Sequence, residues 1–184
     1  MGMAAPVYYS AEMVRALPDD GNRYETVHGE LLVTPAPTLS HQEMVGRLHR
    51  ALSDYLECHA GIGGHVMMSP ADISWAPDVL VQPDLFVVML EEARTGDWSG
   101  IRTLLLAVEI LSPSTARRDR FTKRRLYQEA GVAAYWVVNA DERAVEVWTP
   151  SAQFPRVVTD VLVWDPAGAP EPLMLSLEKL FRPL

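Results

Sequence analysis

The sequence predicts a domain of mixed α and β structure, α/β or α+β, with a central mixed sheet flanked by helices and an N-terminal β-hairpin. Three observations predict it. Apolar, strand-like runs recur along the chain, among them DLFVVML (84–90), LLLAVEIL (104–111) and AAYWVVN (133–139). Two longer stretches, one beginning near Ser40 and one near Ser112, carry helical signals instead. Proline and glycine are scattered as turn punctuation, with no linker-like tract and no internal repeat. At 184 residues, 48% apolar and 22% charged, the chain has the length and composition of one folded domain over 1–184.

The elements follow in order. Ser10 to Leu17 reads as a short helix stopped by Pro18-Asp19-Asp20-Gly21. RYETVHGELLVTP (23–35) holds two extended runs around His28-Gly29, a hairpin pattern. In SHQEMVGRLHRALSDYLECHA (40–60), Met44, Val45, Leu48, Leu52, Tyr55 and Leu56 recur at helical spacing, with Ser40 as N-cap and Glu43 completing a capping box. Residues 61–90 read as strands, the best from Asp84 to Leu90, and EEARTGDWSG (91–100) as a polar loop. LLLAVEIL is a strand. Ser112 and Pro113 open a helix that Gly131 stops. AAYWVVN and AVEVWTP (144–150) are strands joined by Ala140 to Arg143, and PLMLSLEKLF (172–181) reads as a strand and a short helix.

Composition narrows the function classes. The net charge of −8 gives no global basic signature, so only a local cluster argues for nucleic acid. The single Cys58 excludes an internal disulfide and fits a reducing compartment. No apolar run has membrane-spanning length and the first residues lack a signal pattern, so the expectation is a cytoplasmic protein with no membrane partner. Cys58, His59 and His65 match no standard zinc spacing, and no glycine-rich phosphate loop is present.

The informative oddity is Glu109, a carboxylate inside a strand that should be covered on both faces. Unpaired there, it costs several kcal/mol or takes up a proton. It either reaches solvent, pairs with an arginine of the next helix, or lines a cleft at the strand end, where open α/β sheets bind ligands. Asp84 opens another apolar strand directly after Pro83. Two acids at neighbouring strand ends repel one another, and a divalent cation such as Mg²⁺ removes that conflict. On the following helix Asp119, Lys123 and Tyr127 share one face at i, i+4 and i+8. Arg117, Arg118, Arg120, Lys123, Arg124 and Arg125 put six basic residues into nine positions, suited to a phosphate backbone or else to a solvated face.

RYETVHGELLVTPAPTLSHQ, VQPDLFVV, AVEILSPST and DRFTKRRLYQEAGVAAYWVVNADERAVEVW, in this order from about residue 24 to 148, resemble the Uma2 family (also called DUF820), restriction-endonuclease-like proteins of the PD-(D/E)XK nuclease superfamily. The resemblance implies a mixed sheet flanked by helices with a metal site at its edge. It puts the first acid at Asp84 and the second at Glu109. The superfamily's lysine is expected at 111, which is Leu; in Uma2-like proteins it lies on the next helix, here at Lys123. Glu43, on an early helix, and His41, in the Ser-His-Gln segment, are candidate supporting residues, with Glu25 and Glu30 of the hairpin further acids that face the cleft or solvent.

The expected function is metal-dependent hydrolysis of phosphodiester bonds in nucleic acid, chiefly DNA. Asp84, Glu109 and the backbone carbonyl of Ile110 would hold Mg²⁺ or Mn²⁺. Lys123 would orient the attacking water or stabilise the transition state, positioned by Tyr127 and Asp119, and the arginines would contact the backbone. Two alternatives remain open: a nuclease-fold binding or scaffold domain without catalysis, and a small-phosphoester hydrolase. A homodimer is expected by analogy with nucleases that cut two strands.

Overall fold

A computed structural model describes residues 7–183. Helix α1 (Ala11–Arg15) starts at Ser10, whose side chain accepts from the Met13 N–H. Strands β1 (Arg23–Val27) and β2 (Glu30–Thr34) form the expected hairpin. At its turn His28 and Gly29 both have positive φ, 50° and 81°. Glycine at 29 also leaves room for the Tyr8 ring, which any Cβ there would strike.

Helix α2 (Leu39–Cys58) buries the six apolar residues that its period selects, Met44 to Leu56. Its N-cap is Thr38, not Ser40. Thr38, directly after Pro37, keeps an extended backbone and its hydroxyl accepts from the His41 N–H at 3.3 Å. Glu43 therefore lies beyond the capping position and instead pairs with Arg47 one turn on, at 2.7 Å.

Four strands follow: β3 (Gly64–Met68), β4 (Ile73–Ala76), β5 (Val79–Val81) and β6 (Leu85–Met89). The segment expected to be loop begins with a helical turn, α3 (Leu90–Ala93), where Glu92 caps the Arg102 and Thr103 N–H groups. Strand β7 (Leu104–Ile110) leads into π-helical turns at Arg118–Lys123, which continue as α4 (Arg124–Glu129). The expected helix from Ser112 is thus shorter and locally wider than a regular α-helix. Strands β8 (Tyr135–Asn139), β9 (Ala144–Trp148), β10 (Arg156–Val158), β11 (Val161–Trp164) and β12 (Leu173–Ser176) and helix α5 (Leu177–Leu180) complete the chain.

The main sheet has the order β10-β9-β8-β7-β6-β3, parallel only between β7 and β8. Their connection needs a crossover, and the π/α4 helix supplies it. A second, antiparallel sheet has the order β2-β1-β5-β4. Residues of α2 pack on one face of the main sheet with Val66, Leu85, Leu106, Val108 and Trp136. The other face lies under the small sheet and α4, where Phe86, Ala107 and Val137 meet Leu32, Val81, Leu126 and Tyr127. With side chains alternating along β7, Leu106, Val108 and Ile110 go to α2, and Ala107 and Glu109 go to the small sheet and α4. Among the described residues no helix is long and apolar enough to cross a membrane.

Candidate active site

The sheet register sets the two strand-end acids against each other. Leu85 of β6 pairs with Val108 of β7, so Asp84 stands one step further on, level with Glu109. Both are buried, at 3% and 1% exposure.

Asp84 accepts from three donors. Arg23 Nη1 lies 2.8 Å from one oxygen, and His41 Nε2 at 3.1 Å and the Ile110 backbone N–H at 2.8 Å share the other. Burial pushes this carboxyl up, but the His41 hydrogen bond, the Arg23 charge and the Ile110 N–H together hold it well below the usual carboxylate range. Glu109 is in the opposite state. Burial drives its carboxyl well above the usual value; Lys123 opposes this, while Asp84, Asp119 and Glu25 add to it.

Lys123 reaches the site from the π-helical turns. Its Nζ lies 2.9 Å from Glu109 Oε1, 2.8 Å from Glu25 Oε1 and 3.9 Å from Asp119 Oδ1, and the residue is 2% exposed. Burial alone lowers an amine's pKa, but Glu109, Glu25 and Asp119 raise this one above its ordinary value, so it stays a cation at neutral pH. Tyr127 donates its hydroxyl to the same Glu109 oxygen at 3.0 Å. The Tyr135 hydroxyl fixes the Asp119 carbonyl at 2.9 Å, and burial raises the Asp119 carboxyl to about 6. Single π turns of this kind are frequent at functional sites.

Glu25 faces this cluster from β1 and is fully buried. Its Oε1 also accepts from the Gln82 N–H at 2.7 Å, while its Oε2 is buried without a partner. A cavity of about 1140 Å³ opens against Asp84, Glu109, Ile110, His41 and Arg23.

The remaining expected residues lie elsewhere. Glu43 is bound to Arg47 and does not border the cavity, and Glu30 is exposed at a separate surface recess beside Arg124 and Arg125. None of the five helix arginines lines the cavity with Asp84. Arg118 donates to the Val33 and Ser114 carbonyls, and Arg120 pairs with Glu146 at 2.6 Å. Arg124 bonds Gln128 and stacks 4.8 Å over the Trp148 ring, Arg125 pairs with Glu129, and Arg117 is exposed. A run of arginines that looks like one patch is divided by the helix among local partners. Sequence reasoning missed Arg23, which is 61 residues from Asp84 and carried no local signal.

Four buried carboxylates, Glu25, Asp84, Glu109 and Asp119, thus face two full cations, Lys123 and Arg23. That excess of negative charge, the raised Glu109 carboxyl and the unpartnered Glu25 oxygen suit a divalent cation. Asp84, Glu109 and Ile110 border the cavity, and carboxylate and carbonyl oxygens are the hard donors that Mg²⁺ or Mn²⁺ prefers. Among the described residues no three His, Cys, Asp or Glu side chains converge as a ready-made metal cage, so water or substrate oxygens would complete the coordination.

The chain thus combines a mixed sheet, an acid pair at its strand ends and a lysine returning from the crossover helix. Residues 11–178 match the model of the Uma2 family, described as "Putative restriction endonuclease", and the chain belongs to that family. The fold is shared with a crystal structure from Anabaena variabilis ATCC 29413, described as "a putative nuclease belonging to DUF820". The TM-score is 0.76 at 22% identity, over 94% of this chain and 97% of that one. No curated protein matches the chain.

Proposed function

We propose that this protein is a divalent-cation-dependent phosphodiesterase acting on nucleic acid, with DNA as the expected substrate. The observation that carries the reading is the position of Lys123: its buried amine lies 2.9 Å from Glu109, and Glu109 and Asp84 both border the cavity. A helix-borne lysine thereby reaches the second acid, Glu109, although position 111 is Leu.

Asp84, Glu109 and the Ile110 carbonyl would hold Mg²⁺ or Mn²⁺, which when bound polarises a phosphate oxygen and lowers the pKa of water. The chain's own groups do the rest. Lys123 stays protonated, so it is no general base; it donates hydrogen bonds to Glu109 and Glu25, keeps Glu109 in reach of the ionised state and acts on the site through that carboxylate. Tyr127 fixes the Glu109 oxygen that Lys123 also holds, and Glu25 fixes the amine from the other side.

One observation favours the reading of a fold without catalysis: Asp84 is already held by Arg23, His41 and Ile110. Purified protein incubated with single- and double-stranded DNA, with RNA and with a small diester such as bis(p-nitrophenyl) phosphate separates the cases. Cleavage of nucleic acid that needs Mg²⁺ or Mn²⁺ and is lost in both Asp84→Asn and Glu109→Gln supports the proposal. Turnover of the small diester alone points to the small-phosphoester reading. No turnover of any substrate, with both variants folded like the wild type, supports the binding domain.

A further inference from the structure

Among the described residues, Arg23 is the one arginine or lysine that both borders the cavity and touches a proposed metal ligand. It stands at the first position of β1, and only Nη1 is engaged: 2.8 Å from Asp84 Oδ1 and 3.4 Å from Ser69 Oγ. Among the described residues Nη2 makes no hydrogen bond, and Nε is buried without one. Most of a five-donor guanidinium is therefore unused. Ser69 does not lock it, because the Ser69 hydroxyl is directed to the Gln82 and Pro83 carbonyls.

The surroundings make this position exchangeable. Of the three donors on Asp84, the Ile110 N–H is part of the β7 backbone and His41 sits in the first turn of α2. Arg23 alone is a long side chain open to the cavity, at 20% side-chain exposure. Any cation coordinated by Asp84 Oδ1 must compete with it. The guanidinium that is displaced remains at the cavity, where the only other arginine or lysine among the described residues is Arg15. A planar fork with free N–H groups is the preferred partner of a phosphate oxygen pair.

Building on the phosphodiesterase reading, we propose that Arg23 is an exchangeable partner of Asp84. In the free protein it fills the cation position, and when a divalent cation takes Asp84 it turns its fork to a phosphate of the substrate. Arg23 is then the phosphate-binding residue in a cleft that the helix arginines do not reach. One substitution should therefore act with opposite signs on cation and anion.

The test is calorimetric titration of the full chain with Mn²⁺, then of the Mn²⁺-loaded protein with thymidine 5′-monophosphate, for wild type and Arg23→Met, which keeps an apolar stem. Arg23→Met should bind Mn²⁺ about tenfold or more tightly than wild type, the scale of releasing one hydrogen bond to a charged group. Its affinity for the nucleotide should fall by about tenfold or more. Should melting show that Arg23→Met does not fold, Arg23→Gln replaces it with the same two expectations. Unchanged or weaker Mn²⁺ binding overturns the exchange. Tighter Mn²⁺ binding with unchanged nucleotide affinity overturns the phosphate role. If Glu109→Gln abolishes Mn²⁺ binding while Arg23→Met leaves it at the wild-type value, the metal site stands and only this inference fails. If no protein binds Mn²⁺, the metal-dependent reading fails and takes the inference with it.

Discussion

The crossover helix presents its cations to two environments. Lys123 points under the small sheet into Glu25, Glu109 and Asp119, with almost no exposure. Arg120, Arg124 and Arg125, within three residues of it, lie against partners at or near the surface. Along the sequence these residues form a single basic run; in space they separate into one buried cation and several local pairs. A count of basic residues therefore says little about what they bind. A surface pair contributes about 0–1 kcal/mol, whereas removing one partner of a buried pair costs about 3–5 kcal/mol.

Replacing Lys123 tests that contrast at its strongest. Lys123→Met leaves three acids facing one another without their amine, and urea unfolding at pH 7 should show a loss of about 3–5 kcal/mol. A loss no larger than that of a surface change would remove the distinction between the two environments. Tyr127→Phe keeps the ring in the core and removes only the hydroxyl from Glu109; the expected loss is about 1.5–3 kcal/mol by the same measurement.

A smaller effect comes from pH. Between the ordinary 3.8 and about 6, folded protein holds a proton on Asp119 that the unfolded chain has released. This group's contribution is therefore full below the lower value and is lost as pH rises through about 6. Asp84 has the reverse sign: its contribution is present above its ordinary 3.8 and is lost as pH falls towards its depressed folded value. Lowering pH from about 7.5 to about 5.5 should raise unfolding free energy by on the order of 1 kcal/mol, and Asp119→Asn should remove Asp119's share of that gain. The smallest effect belongs to the exposed pair of Arg125 and Glu129. Arg125→Ala should change stability by less than about 0.5 kcal/mol, and a Tm shift as large as that of Tyr127→Phe would contradict the account.

Much of the frame was legible because it is local. The hairpin turn, the α2 stripe and the strands around Asp84 and Glu109 are written in periodicity and turn residues. The face of β7 on which Glu109 lies was not legible, because LLLAVEIL is apolar on both faces. The site was legible where elements end, at Pro83-Asp84 and at the strand carrying Glu109. It was less so where distant segments meet. Arg23 and Glu25 reach the acids only because the small sheet folds over the main one, and no spacing in the hairpin encodes that. The π turns change which residues of the crossover helix face inward, and regular helical periodicity has no term for them. Thr38 rather than Ser40 is the cap because, although both carry the required hydroxyl, the backbone is extended at Thr38 and helical from Leu39 on.

The central claim is that the buried acids at the ends of β6 and β7 hold a divalent cation. Calorimetric titration of Mn²⁺ near neutral pH into wild type and Glu109→Gln tests it most directly. The account predicts saturable binding to the wild type that is lost in the variant. Binding that survives the substitution unchanged would place the cation elsewhere and contradict the assignment.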